Sequence, residues 1–302
     1  MEKLQKTQME SIQKNIFNNA RDIEKAKWNY LFNNGSKEAI VSELVKYQNS
    51  DGGFGNGLEA DILLPASSSI ASTEAILIAY DCELNCEEPW FKNLLSYFEN
   101  TIQKTPSFWE KVPKEVENFP HAPWWNYAAD TKFSPNPCAV IASAFIKYGN
   151  DGQKELGYKI AVRCVEFLNS NEPCDEHDCY CMQRLFIVLE ELNSTLIDDI
   201  AIKSMERRIL DCLCTDESKW TEYVPQPLDL VDSPESQWYK LVEPFVEKNL
   251  FFWLNTLKED GFWSPNFSWG IDSEIAKNVT KIWVCYIAVR RVKILKAFGL
   301  IK

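Results

Sequence analysis

Apolar residues recur every three or four positions along most of the chain, which is the spacing expected of α-helices that bury one face. Sustained alternation of apolar and polar residues, the mark of a half-buried strand, is missing. We therefore predict an all-α fold of about ten or eleven helices of ordinary length. The clearest periodic segments are residues 40–45, 70–79, 94–98, 140–145, 160–168, 185–192 and 282–289.

Composition and charge narrow the classes of protein that this chain could belong to. It has 302 residues, 45% of them hydrophobic, which can fill a sizeable core, and no segment has the composition of a linker. We predict one continuous domain over residues 1–302. The net charge of −12 argues against binding to nucleic acid or to an anionic membrane surface. No apolar run approaches the length of a membrane span and no signal peptide is visible, so we predict a cytoplasmic protein whose ten cysteines are reduced.

A glycine-rich segment follows the first of these predicted helices. Residues 48–61 read QNSDGGFGNGLEAD, and glycines at positions 52 and 53 accept backbone angles that other residues avoid. We expect the helix to end there and the chain to reverse direction. The pattern has a weaker copy near the end of the chain, since VKYQNSDGGFG is echoed by LNTLKEDGFWS. Such an echo is what a closed ring of helical hairpins would leave if each helix ended in the same glycine-dependent turn.

These residues carry a family resemblance. The segment QNSDGGFG resembles the QxxDGGFG repeat of terpenoid cyclases and protein prenyltransferase β-subunits, and PASSSIASTEAILIAYD is similar to the inner helix that follows such a repeat. The segments PHAPWW and NPCAVIASAFIKYG resemble a shorter bacterial branch described as squalene-cyclase-like or prenyltransferase-like. The resemblance implies an α/α toroid, in which about five or six helical hairpins form two concentric rings around a central cavity.

The chain also departs from that family. The DxDD motif with which class II triterpene cyclases protonate their substrate is missing, and Asp198-Asp199 is followed by IAIK, so the DDxxD motif of magnesium-dependent terpene synthases is missing too. The resemblance therefore predicts the scaffold and does not transfer either mechanism.

Glu59 and Asp61 are the first candidates for chemistry. They lie between the glycine turn and Pro65, where we expect extended backbone that places positions i and i+2 on the same side. Two neighbouring carboxylates repel each other, so one can keep its proton and act as an acid. The alternative is that both are solvated loop residues or cap the next helix.

A histidine and several tryptophans are further candidates. His121, in PHAPWW, could act as a base, a proton donor or an orienting group, or it could be a loop histidine bonded to backbone. Trp124 and Trp125, with Trp238 and Trp263, could form an aromatic wall that binds a substrate or stabilises a cation. The alternative for each tryptophan is packing in the core.

The segment PCDEHDCYC places Cys174, His177, Cys179 and Cys181 within eight residues. Sulfur and imidazole ligands suit Zn²⁺, and the segment faintly resembles the Asp-x-Cys-Tyr element that supplies zinc ligands in prenyltransferase β-subunits. Here His177 stands where that element has aspartate, and no later histidine completes a site. We therefore predict reduced cysteines at a helix start rather than a resident metal, with His177 and Asp178 as cavity residues.

Two aspartates in PLDLVDSP complete the candidate set. Asp229 and Asp232 could add carboxylates to the cavity mouth, or hold Mg²⁺ through a diphosphate, because hard cations prefer oxygen ligands. The alternative is that both are ordinary turn aspartates near prolines.

Three functions follow from these candidates. The leading hypothesis is an enzyme that uses Glu59, Asp61 and His121 for acid–base catalysis on a hydrophobic small molecule, without a cofactor. The family resemblance implies that this molecule is isoprenoid-like. The second is a carbohydrate-active enzyme on the same scaffold, because acidic pairs and tryptophan platforms also serve sugars. The third is a non-catalytic binding or scaffold protein, which would have Glu59 and Asp61 tied to backbone amides and a cavity filled by its own side chains.

Overall fold

A computed structural model describes residues 3–104 and 107–302 and confirms the all-α class. Besides the helices, the described residues contain one antiparallel pair of two-residue strands, β1 (Gln103–Lys104) and β2 (Ser107–Phe108). The α-helices of the described residues are α1 (Lys6–Asn19), α2 (Asp22–Phe32), α3 (Lys37–Leu44), α4 (Ser69–Asp81), α5 (Pro89–Thr101), α6 (Pro135–Tyr148), α7 (Asp151–Asn169), α8 (Glu176–Glu191), α9 (Asp199–Cys212), α10 (Pro227–Leu230), α11 (Tyr239–Thr256) and α12 (Glu274–Ala297).

The chain divides into two compact units. One, the central unit, comprises residues 44–209; the other, the terminal unit, comprises the residues up to 43 together with 210–302. The central unit contains α4 to α8, and the terminal unit contains α1, α2, α10, α11 and α12. The single domain over residues 1–302 stays a prediction, and the two units are described separately.

Helices of two kinds build the central unit. In α6 every residue from Pro137 to Ile146 is buried, and the helix packs against α4, α5, α7 and α8. Helix α4 is likewise buried on most sides, and its buried residues include Ser69, Ser72 and Thr73. In contrast, α5 and α7 bury one face and expose the other. A helix that is buried all round must be covered all round, and for α6 the helices α4, α5, α7 and α8 supply that cover.

The repeated glycine pattern folds into the same turn in both units. In the central unit the Asn49 N–H donates to the Gly53 carbonyl (2.8 Å) and the Gly52 N–H donates to the Asn49 carbonyl (3.0 Å). In the terminal unit the corresponding bonds join Lys258 to Phe262 (3.0 Å) and Gly261 to Lys258 (2.9 Å).

Both turns depend on a glycine in the left-handed region. Gly52 has φ of +89° and Gly261 has φ of +81°. A Cβ atom at Gly52 would lie 2.8 Å from the Asn93 carbonyl carbon in α5, and one at Gly261 would lie 2.5 Å from the Ile12 nitrogen in α1. Each turn therefore packs directly on the backbone of a helix of its own unit, which only glycine permits.

A buried polar network holds α10 and α11 together in the terminal unit. The Gln226 side-chain oxygen accepts hydrogen bonds from Asn249 Nδ2 and Trp253 Nε1, both at 2.8 Å, and its nitrogen donates to the Trp220 carbonyl at 2.9 Å. Asn249 in turn accepts the Leu228 N–H at 3.0 Å. Buried polar groups that satisfy one another fix the relative position of the segments that carry them.

Within the residues that the structure describes, every helix is too short or too polar to span a lipid bilayer.

Candidate functional site

The glycine-rich segment that precedes the candidate acids is tied down by its own side chains. Gln48 Nε2 donates to the carbonyls of Gly52 (2.9 Å) and Trp90 (2.8 Å). Asp51 Oδ1 accepts the Gly53 N–H (3.0 Å) and the Ser67 hydroxyl (2.7 Å). The characteristic residues of the QNSDGGFG motif therefore serve as scaffold, and the candidate chemistry lies beyond them.

Glu59 and Asp61 lie in a turn, so the expectation of extended backbone at this point is wrong. The Ile62 N–H donates to the Glu59 carbonyl at 3.0 Å, which closes the turn. Glu59 Oε1 accepts the Asp61 N–H at 3.3 Å. Asp61 is 3% exposed, whereas Glu59 is only partly buried. The two carboxyl groups therefore occupy different environments, and Glu59 is bonded to the backbone.

His121 reaches this turn through pairing between distant parts of the chain. The Leu63 N–H donates to the Pro120 carbonyl and the Ala122 N–H donates to the Asp61 carbonyl, both at 2.9 Å. Ile62 and His121 are the antiparallel partners between these bonds. Two segments that stood out independently in the sequence are thus neighbours in the fold.

Both ring nitrogens of His121 have partners. Nδ1 lies 2.7 Å from the Phe119 carbonyl oxygen, which can only accept, so Nδ1 donates. Nε2 lies 2.9 Å from Oδ1 of the Asn126 side chain. The orientation of the ring is therefore fixed by Phe119 and Asn126, which belong to its own loop.

The two adjacent tryptophans differ in environment. Trp124 is 48% exposed. Trp125 packs, with Tyr127, on an apolar cluster that includes Ile62 and Leu64. Its indole N–H is buried and has no hydrogen-bond partner among the described residues. A buried donor without an acceptor is costly, so a molecule that offers an acceptor at this point would be favoured.

Asp178 has a structural role that its sequence position did not reveal. It completes the capping box of α8 by accepting the Asp175 N–H, and its Oδ1 accepts the Ser134 hydroxyl (2.5 Å) and the Asn136 N–H (3.1 Å). Burial raises the pKa of the Asp178 carboxyl above its ordinary value.

His177, the neighbouring candidate, is exposed at the surface, and its Nε2 lies 3.7 Å from Glu176 Oε1.

The candidate zinc ligands do not converge. In α8, Cys179 points to the other side of the helix from His177 and Cys181, and of these two His177 is exposed whereas Cys181 is buried. Cys181 Sγ contacts Asn136 Oδ1 at 3.7 Å, while Cys179 Sγ lies 3.9 Å from Cys174 Sγ. In the described part of the chain, no group of three or more His, Cys, Asp or Glu is arranged to hold a metal ion.

In the terminal unit, Asp229 is half-buried and both of its carboxylate oxygens have partners. Its Oδ1 accepts Arg290 Nη1 at 2.7 Å, and its Oδ2 accepts the Gln226 N–H at 3.0 Å. Asp232 Oδ1 accepts the Ser236 hydroxyl at 2.8 Å in a local turn. Asp232 thus lies in a turn, as in the alternative given above, whereas Asp229 lies in the short helix α10 and pairs with Arg290.

Trp238 and Trp263 are both buried in the terminal unit. Trp263 is fully buried, and its indole N–H donates to the Trp253 carbonyl at 2.7 Å. Trp238 is 6% exposed and precedes the first residue of α11. Two shallow surface depressions of about 270 and 350 Å³ lie along α1 and residues 257–262, and neither is lined by a predicted site residue.

Arg291 is a residue that was not predicted from the sequence. Its guanidinium carbon lies 4.6 Å from the ring centre of Trp253 and 5.5 Å from that of Trp263. Burial lowers the pKa of Arg291 to about 10. The contact with two indole rings offsets part of the lost hydration. The sequence signal that could have identified it is an arginine between the buried Val289 and Val292 in α12.

The chain is thus an all-α protein with a candidate site in its central unit. Comparisons with protein-family models, with curated proteins and with solved structures found no match. The resemblance to terpenoid cyclases rests on the sequence motifs.

Proposed function

We propose that the protein is a terpenoid-cyclase-like enzyme that binds a hydrophobic, isoprenoid-like small molecule beside Asp61, His121 and Trp125. The observation that carries the proposal is the pairing of residues 61–63 with residues 120–122, which places the backbone of the buried Asp61 beside that of the histidine segment. Trp125 packs on a buried apolar cluster and is itself only partly buried, so its ring supplies a surface for such a molecule.

Each residue has a role in this proposal. Asp61 donates the proton, because a carboxyl group shielded from water can transfer it without competition from solvent. Once Asn126 turns away, His121 Nε2 accepts a proton from the cation that Asp61 has formed, and the imidazolium then gives a proton back to the Asp61 carboxylate. Trp125 binds the molecule through its ring and offers its unpaired N–H to an oxygen atom. Glu59, bonded to the Asp61 N–H, orients the turn.

We also propose that the helices form an α/α toroid. The repeated turn at Gly52 and Gly261 supports it, because a ring of hairpins reuses one turn at each step. The covered helices α4 and α6, beside the one-sided α5 and α7, have the burial expected of inner and outer rings. Location in the cytoplasm remains a prediction from the sequence.

A second candidate is a non-catalytic binding protein on the same scaffold. Two observations favour it. Glu59 is bonded to a backbone amide, and Trp263 is packed in the interior rather than lining a cavity. In this case the molecule would bind at Trp125 and leave unchanged.

Binding is tested by native mass spectrometry of the purified chain, followed by titration with farnesol, with farnesene, which lacks the hydroxyl oxygen, and with maltose. We expect farnesol to bind, and W125F to weaken it about threefold to tenfold, the value of one hydrogen bond. Because farnesene offers no oxygen to the indole N–H, W125F should leave its affinity unchanged. Equal losses for both ligands would exclude the proposed hydrogen bond, and binding of maltose alone would favour the carbohydrate hypothesis.

Turnover separates the enzyme from the binding protein. We expect D61N to retain farnesol binding and to lose turnover of whichever bound compound the wild type converts, because asparagine cannot donate the proton. The matched control is D130N, which changes an exposed loop aspartate. Binding without turnover in the wild type would favour the second candidate, and full turnover by D61N would exclude Asp61 as the acid.

A further inference from the structure

Two thiols meet where α8 begins. Cys174 Sγ lies 3.9 Å from Cys179 Sγ. Asp175 is the N-cap, so Cys174 occupies the position before the cap and Cys179 the fourth position of the helix. In many helices these two positions hold apolar residues that contact each other and fix the angle at which the chain enters. Here two sulfur atoms make that contact.

The backbone around the pair is held in place from both sides. The capping box joins Asp175 and Asp178 at the start of α8. Arg208 donates to the carbonyls of Ser170 (2.7 Å) and Glu172 (2.9 Å) in the loop before it. The thiols are thus neighbours because their backbone is fixed by other bonds.

We propose that Cys174 and Cys179 are a reversible oxidation site that forms a disulfide when the protein meets a hydroperoxide. The sulfur of a disulfide lies about 2.05 Å from its partner, so the two thiols must approach by roughly 1.9 Å. Cys174 lies outside the helix, so it can move without breaking a helical hydrogen bond.

The reaction takes two steps. The Cys174 thiolate attacks one peroxide oxygen; an S–O bond forms, the O–O bond breaks, and the leaving hydroxide takes a proton to become water. The Cys179 sulfur then attacks the Cys174 sulfenic acid; the S–S bond forms, the S–O bond breaks, and the released hydroxide leaves with the Cys179 proton as a second water. The two thiols lose two electrons, which reduce the peroxide.

The order of the steps follows from exposure. Cys174 is partly exposed, whereas Cys179 is buried, so a soluble oxidant reaches Cys174 first. The hydrogen bond with Cys179 lowers the pKa of the Cys174 thiol, which increases the fraction in the reactive thiolate form. Cys181 is buried against Asn136 and points away from this pair.

The test treats the reduced full-length chain with hydrogen peroxide, blocks the remaining thiols with N-ethylmaleimide under denaturing conditions, and cleaves before aspartates. Cleavage before Asp175 and Asp178 separates Cys174 from Cys179, so a disulfide appears as a linked pair of peptides. We expect a link that lowers the mass by ~2 Da relative to the two thiols and that dithiothreitol reverses. Fragmentation of the linked pair identifies the two cysteines.

Variants decide which sulfurs take part. C179S should lose the link and leave Cys174 as a sulfenic acid that dimedone traps, whereas the matched control C181S should form the link as the wild type does. A wild-type protein in which Cys174 stays available to maleimide after peroxide would overturn the proposal, and the contact would then be only a packing contact. A link that persists in C179S would overturn the assignment of Cys179.

Discussion

Alanine at Gly52 is expected to lower the free energy of unfolding by about 3 to 5 kcal/mol, and alanine at Gly261 by a similar amount. Both glycines have positive φ, +89° and +81°, where a Cβ atom is strained. The Cβ would also overlap backbone, at Asn93 for Gly52 and at Ser11 and Ile12 for Gly261. Backbone in the middle of a helix cannot move aside as a flexible side chain can, so the two penalties add.

Alanine at two other glycines measures the strain of positive φ without the overlap between Cβ and backbone. Gly57 has φ of +77°, and a methyl group added there would lie 3.4 Å from its nearest neighbour, Leu63 Cδ2, whereas Gly270 has φ of +72° with nothing within 4 Å. Alanine at either should therefore carry only the strain of positive φ, about 1 to 2 kcal/mol. Urea unfolding followed by circular dichroism measures all four variants. If G52A lowers the free energy of unfolding no more than G57A does, the turn does not pack on α5 as described.

The same experiment bears on the predicted single domain. Gly52 belongs to the central unit and Gly261 to the terminal unit. If the chain unfolds in one cooperative transition, both variants shift that same transition, each by its own loss of free energy. If the units unfold separately, each variant shifts a different transition, and the single domain over residues 1–302 would be wrong.

The helices could be predicted from the sequence where burial leaves a strong periodic signal. Helix α6 buries almost every residue and α5 buries a full apolar face, so both stand out in the pattern. Helix α1 was not among the clearest periodic segments, because it buries only Ile12 and Ile16 in an otherwise polar stretch. A weakly amphipathic helix is held by its neighbours, and its own sequence records little of that.

The glycine turns could be predicted because their cause is local. A residue with positive φ favours glycine wherever it occurs, and the faint echo between the two ends of the chain turned out to be the same hydrogen-bonded turn. The helix against which each turn packs could not be predicted, because Asn93 and Ser11 carry no mark of that contact in the sequence.

The candidate site could be predicted only in its parts. Residues 59–61 were expected to be extended because glycine and proline flank them, but the bond from the Ile62 N–H to the Glu59 carbonyl closes a turn instead. The pairing of this segment with His121 joins positions about sixty residues apart, and no local pattern encodes it. Asp229 shows the same limit, since its partner Arg290 comes from a distant helix.

Replacement of Gln226 with leucine is expected to lower the free energy of unfolding by about 3 to 5 kcal/mol. Leucine has nearly the volume of glutamine, so the change removes hydrogen bonds and leaves little cavity. Three buried groups lose their hydrogen-bond partner, because the Asn249 amide, the Trp253 indole N–H and the Trp220 carbonyl all bond to the Gln226 side chain. A buried polar group without a partner costs about 1 to 3 kcal/mol, so the loss of stability in Q226L exceeds the value of one hydrogen bond.

The matched control is Q237L, which makes the same change at an exposed position and should alter stability by less than about 0.5 kcal/mol. A second variant tests the contribution of the Trp253 indole alone. Q226L/W253F removes the indole N–H that Q226L leaves without an acceptor. Its loss of stability should therefore be smaller than the sum for the two single variants. The midpoint of urea unfolding measures the stability of each variant, provided that the dependence of the unfolding free energy on urea is unchanged. Strict additivity would mean that Trp253 finds another acceptor when Gln226 is lost, and that the network does not act as a unit.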